Sequence, residues 1–168
     1  MKLKTLDDLL VKELRDLYSA EKQLIRALPK MAKGANSEAL RDAITDHLEV
    51  TRVHAERLEK IFEMLEVSSR GPKCAAMEGL IEEGSQMLEE EGDPSVIDAG
   101  IIGAAQRVEH YEIAGYGVAR TFARLLGRDK IADLLQTTLD EEAETDKKLT
   151  ELAESEINVE AAMGAEAR

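Results

Sequence analysis

Apolar residues recur every three or four positions in four long stretches of the chain, which is the signature of helices that bury one face. The first stripe runs Leu10, Leu14, Leu17, Leu24, Leu28, Met31, and the second Leu40, Ile44, Leu58, Ile61, Leu65. The third runs Ile101, Ala105, Val108, Ala119, Phe122, and the fourth Ile131, Leu135, Leu149, Leu152. Glycine, proline and capping residues divide the stripes. Thr5 with Asp8 forms a capping-box start, and Gly34 suits a left-handed helix end. Asn36 or Ser37 can cap the second helix, and Gly71-Pro72 closes the region after it. A shorter helical segment, KCAAMEGLIEEGSQMLEEE, follows before Asp93-Pro94 starts the third long helix as cap and first helical residue. Gly127 lies in the turn to the fourth.

These signals predict four long helices of roughly 27 to 32 residues, each about 40 Å long. Tight loops join the first to the second and the third to the fourth. The short segment is long enough to cross the bundle, so that long helices two and three run parallel. The expected fold is therefore all-α, a ferritin-like antiparallel four-helix bundle with one additional short helix in the crossover between long helices two and three. A simple up-down bundle with the short helix capping one end is the alternative. Residues 1–158 make one domain, and the Ala- and Glu-rich residues 159–168 are expected to form a flexible tail.

Each stripe is interrupted near its midpoint by a group that does not belong in an apolar core: Glu21, then His47 and His54, then Glu109 and Glu112, then Glu142. In an antiparallel bundle the midpoints of all helices meet in one layer, so these groups are buried together. Buried acids persist only when paired or bound to a cation. Glu109 and Glu112, three residues apart, share a face. His47 and His54 are two turns apart, about 10 Å, too far to serve one ion. Asp146 stands one turn beyond Glu142 and can join it. Tyr18 and Tyr116 are each placed to pack or to hydrogen-bond a carboxylate. Glu141 and Glu144 are expected to face solvent. A donor set rich in carboxylate with one or two imidazoles suits iron, as a di-iron centre, or manganese rather than zinc. The Glu-x-x-His pairs of di-iron bundles are incomplete, because Thr51 precedes His54 and Thr145 follows Glu142 at that spacing. A buried polar layer that only fixes helix register remains the competing reading.

Composition narrows the partners. Thirty-five acidic against 22 basic residues give a net charge of −13, which opposes nucleic acid and anionic membranes. No apolar run approaches the ~18 residues of a membrane span. The single cysteine, Cys74, cannot form an internal disulfide and fits a reducing, cytoplasmic setting. It is read as a small buried residue near a helix start.

The blocks YSAEKQLIRALPKM, CAAMEGLIEE, AAQRVEHYEIAGYG and TLDEEAETDKKLTELA, with the His47-Leu48-Glu49 stretch, resemble the YciF/YciE family of bacterial stress-response proteins, its YciF branch more closely. The resemblance covers nearly the whole chain. It implies a ferritin-like bundle, a homodimer, and a metal site falling on Glu21, His47, His54, Glu109, Glu112 and Glu142. Family members often carry an acid where this chain has Val50. If such a centre turns over, the expected chemistry is that of a di-metal oxidase or peroxidase acting with O₂ or peroxide.

Overall fold

A computed structural model describes residues 3–166, which are helical apart from their connections. The helices are α1 (Leu6–Gly34), α2 (Glu38–Met64), α3 (Ala75–Met87), α4 (Pro94–Leu125), α5 (Asp129–Leu152) and α6 (Asn158–Glu166), with a π-helical turn, Ala153–Ile157, between the last two. The starts follow the local chemistry. Thr5 and Asp8 make the reciprocal capping box of α1, Ser37 caps α2, and Asp93 caps α4 with Pro94 in its first turn.

Polar contacts fix the directions. Asp98 at the start of α4 accepts from the backbone N–H groups of Asn36 at 2.9 Å and Ser37 at 2.7 Å, so α2 and α4 begin at the same end and run parallel. Arg128, after α4, reaches Asp7 at the start of α1, so α1 and α4 are antiparallel. The α2–α4 connection returns along the outside of the bundle. Arg15 holds its Ser68 carbonyl, Ser19 accepts from the Cys74 N–H, and α3 then packs on α1 and α4. This is the ferritin-like connectivity rather than the up-down alternative.

Gly34 is not a left-handed cap. It is the last residue of α1, and Ala35 leaves the helix in an extended conformation. Its missing side chain serves packing instead, because a Cβ there would lie 2.5 Å from Leu88 Cδ2. Of residues 159–168, expected to form a flexible tail, those through Glu166 are helical and α6 packs on α4, with Val159 and Met163 exposed, and 167–168 lie outside the described residues.

The apolar core has two halves. One contains Leu24, Leu28, Leu40, Ile44, Ile101 and Leu149, and the other Leu10, Leu14, Leu58, Ile61, Ile131 and Leu135. A polar layer lies between them. Among the described residues no helix is long and apolar enough to cross a membrane.

Candidate metal centre

Glu21, His54, Glu112 and Glu142 are fully buried, Glu109 is 1% exposed and His47 7%. They project from the middles of α1, α2, α4 and α5, where the helical stripes carry them inward. α1 and α4 pack closely beside the layer at Gly115, where a Cβ would lie 2.7 Å from Leu17 Cδ2.

The six form two groups that share one carboxylate. Glu21, His54 and Glu142 converge in the first, and His47, Glu109, Glu112 and Glu142 in the second; within each, the donor atoms lie within 4.8 Å of one another. The two histidines thus fall in different groups, as their two-turn spacing requires. Asp146 joins neither. Its side chain accepts from Gln106 at 3.1 Å and lies 3.4 Å from the exposed His110.

The layer contains close acid–imidazole contacts, yet most of its donor atoms lack a well-aligned hydrogen bond. His54 Nδ1 lies 2.9 Å from Glu142 Oε1 and 3.6 Å from Glu21 Oε1, and His47 Nε2 lies 3.2 Å from Glu109 Oε1. Nevertheless His54 Nδ1, both ring nitrogens of His47, Glu21 Oε2, Glu109 Oε2 and both oxygens of Glu112 and Glu142 have no hydrogen-bond partner among the described residues. Two ligands at right angles on one ion, each about 2.1 Å from it, stand about 3 Å apart. The 2.9 and 3.2 Å spacings are near that edge and the 3.6 Å spacing exceeds it, and buried polar atoms without partners cost free energy unless something compensates them. The donor chemistry, oxygen-rich with one imidazole per group, fits iron or manganese.

Electrostatics agree. Burial, followed by the nearby charge of Glu142, pushes Glu21 up to about 8. Burial and Glu142 likewise raise Glu109, and burial and Glu21 raise Glu112. Burial holds His47 below its ordinary value. Burial opposes charge on His54 too, but contact with Glu142 and the charge of Glu21 outweigh it and raise the ring. Without a cation Glu21, Glu109 and Glu112 are acids reluctant to ionise.

Groups around the layer hold its members. Tyr116, fully buried, donates its hydroxyl to Glu21 Oε1, and burial with the neighbouring acid keeps that hydroxyl protonated. Tyr18 does not reach the layer; it donates to Glu59 at 2.5 Å. Glu141 departs from its expected solvent-facing role. Its Oε2 lies 2.9 Å from His54 Nε2 and accepts from Arg57 at 2.7 Å, while Arg57 also donates to Thr138. A ligating histidine commonly gives its second nitrogen to a carboxylate, so His54 itself was the signal for such a partner. Cys74 is buried at the start of α3, where its sulfur lies 3.1 Å from Tyr111 Oη and 3.2 Å from Asp16.

The family model described as a domain of unknown function, DUF892, matches residues 5–162. The chain is 47% identical to the protein YciF of Escherichia coli strain K12 over 162 residues, 96% of this chain and 98% of that protein. The crystal structure of the E. coli stress protein YciF superposes with a TM-score of 0.90, covering 93% of this chain and 99% of the other. YcfI of Rhodopseudomonas palustris, for which a structural role is suggested, is 43% identical, with a TM-score of 0.86 over 89% of this chain and 95% of its own. A Xanthomonas campestris protein at 23% identity shares the fold, with a TM-score of 0.75 over 98% of this chain and 100% of its own. By sequence and by fold, this chain belongs to the DUF892 family of YciF-like proteins.

Proposed function

We propose that this protein binds two divalent cations, iron or manganese, in the mid-bundle layer and acts there on O₂ or a peroxide. The observation that carries the reading is the set of buried, unpartnered donor atoms converging from four helices. One cation would be held by Glu21, His54 and Glu142, and the other by His47, Glu109 and Glu112, with Glu142 spanning both. The four carboxylates balance two divalent charges, which removes the cost of burying them. Bound iron or manganese supplies the one-electron steps by which O₂ or peroxide is reduced. The chain's own groups do the rest. Tyr116 fixes the orientation of Glu21, and Glu141 and Arg57 fix the ring of His54. The homodimer and the cytoplasmic setting belong to the same proposal and rest on the resemblance to YciF and on the single buried cysteine.

The test is elemental analysis of anaerobically purified protein reconstituted with Fe(II) and, separately, Mn(II). About two tightly held ions per chain are expected from the two donor groups, followed by consumption of O₂ or peroxide. Absence of bound metal under both conditions overturns the proposal. It would favour the second reading, a non-catalytic homodimer whose buried polar layer fixes packing, with which the structural role suggested for YcfI agrees.

A further inference from the structure

On one side of the polar layer the bundle is hollow. A cavity of about 390 Å³ penetrates the half that contains the α1–α2 turn. Its walls are apolar, with Leu24 and Leu28 of α1, Ile44 of α2, Ile81 of α3 and Leu149 of α5. Its polar floor is His47 and Glu109, both more than nine-tenths buried, with both ring nitrogens of His47 and Oε2 of Glu109 unpartnered. Its rim carries the exposed Asp42 and Asp46 of α2 and the exposed Lys148 of α5.

We propose that this cavity binds a neutral, single-chain organic molecule, an alkyl alcohol, aldehyde or hydroperoxide, with its oxygen-bearing end against His47 and Glu109. The placing of the polar end rests on the metal reading above; the binding of the chain does not. Volume is the first argument. O₂ or hydrogen peroxide needs the room of one or two waters, whereas this hollow falls within the range of small-molecule sites. At ~30 Å³ for each water-sized group it accommodates an alkyl chain of about ten carbons. The lining is the second. Apolar walls that no ligand covers forfeit packing contacts. Charge is the third. Two acids against one lysine at the rim, and −13 over the whole chain, oppose an anionic ligand.

Fluorescence titration of the chelator-treated full chain with N-phenyl-1-naphthylamine, a neutral apolar probe, tests the cavity. Saturable binding of one probe per chain is expected, displaced by 1-decanol at a concentration at least tenfold below that required of decanoate. No saturable binding, or decanoate competing equally well, overturns the proposal. Ala43→Trp places a bulky ring at a half-buried rim position, and Ala105→Leu adds bulk from α4. Both should weaken probe binding at least tenfold while leaving the melting temperature and the Mn(II) content unchanged. Unaltered probe affinity in both folded variants would place the site elsewhere and sink the idea. The polar end is tested in Co(II)-loaded protein, whose visible bands should shift when 1-decanol is added. Bands that do not move overturn that placement. Failure of Co(II) to bind overturns it together with the metal reading, and leaves the probe result standing on its own.

Discussion

Glu141 Oε2 stands 2.9 Å from His54 Nε2, on the side of the ring opposite the Nδ1 that faces Glu142 and Glu21. One imidazole thus has one nitrogen turned to the buried layer and the other held by a half-exposed carboxylate that Arg57 grips at 2.7 and 3.2 Å. The Arg57 hydrogen bond, working against partial burial, holds the Glu141 carboxyl below its ordinary value and keeps it an acceptor. A carboxylate in this position fixes the tautomer and ring angle of a ligating histidine. Glu141→Ala should therefore weaken Mn(II) affinity about 10- to 100-fold, with a smaller loss in Glu141→Gln. Competition with a chelator of known affinity measures both. Unchanged affinity in Glu141→Ala would show that His54 needs no outer partner.

A second prediction concerns the fold alone. Asp98 is 2% exposed and accepts from Asn36 N, Asn36 Nδ2 and Ser37 N, joining the α1–α2 turn to the start of α4. Asp98→Ala leaves these donors without their charged acceptor, at a cost of about 3 kcal/mol. For a domain of this size the melting temperature should fall by roughly 6–12 °C. Metal content should not change, because the contact lies far along the bundle from Glu142. Thermal unfolding followed by circular dichroism, with elemental analysis beside it, separates the two effects.

The contrast between Asp98 and Glu142 shows what a single sequence discloses. The stripes disclosed the helices, because each apolar face is local and periodic. The midpoint argument brought Glu21, His47, His54, Glu109, Glu112 and Glu142 into one layer, because antiparallel helices of similar length align their centres. Asp146 fell outside it, since one more turn along α5 takes it to Gln106 at the bundle surface. Glu141 looked like a solvent-facing acid, because nothing near it in sequence announces Arg57 and His54 across the α2–α5 interface. Gly34 looked like a turn residue, because its use, the approach of Leu88, involves a partner 54 positions away (88 − 34). What helical periodicity dictates was legible; what depends on a particular side chain arriving from another helix was not.

The third prediction follows from the acids. Glu21 is raised from 4.5 to about 8, and Glu109 and Glu112 are raised well above their ordinary value. In the metal-free state the folded chain therefore keeps protons that the unfolded chain has released. Stability falls with rising pH wherever the folded state binds more protons. The contribution of these groups is complete below about pH 4.5 and is lost as pH rises through about 8 for Glu21. His54, raised against its burial by Glu142 and Glu21, adds to the trend, whereas the lowered His47 opposes it below its ordinary 6.5. Three carboxylates and one ring outweigh the other ring. With chelator present, the melting temperature should drop by roughly 5–10 °C between pH 5.5 and pH 8. With Mn(II) in excess the slope should reverse, because metal competes with protons for the same atoms. Parallel slopes in the two series would mean that the layer does not bind the ion.

The last prediction separates the metal reading from the packing reading. Glu21→Gln with Glu112→Gln removes one carboxylate charge from each donor group while keeping size and hydrogen-bonding capacity. Amide oxygens are poor replacements for carboxylates on a divalent cation, and two charges of the four are gone, so stoichiometric Fe(II) and Mn(II) binding should be abolished. The metal-free variant, relieved of buried acids that at pH 8 hold protons the unfolded chain has released, should melt higher than the metal-free parent. Adding Mn(II) at 100 times the dissociation constant stabilises a protein that binds it only when folded by about 2.7 kcal/mol. The parent should therefore gain several degrees with Mn(II), and the double variant none. Retention of stoichiometric metal by the variant would place the ions outside this layer. A variant that melts lower than the metal-free parent would mean that Glu21 and Glu112 stabilise the fold by pairing.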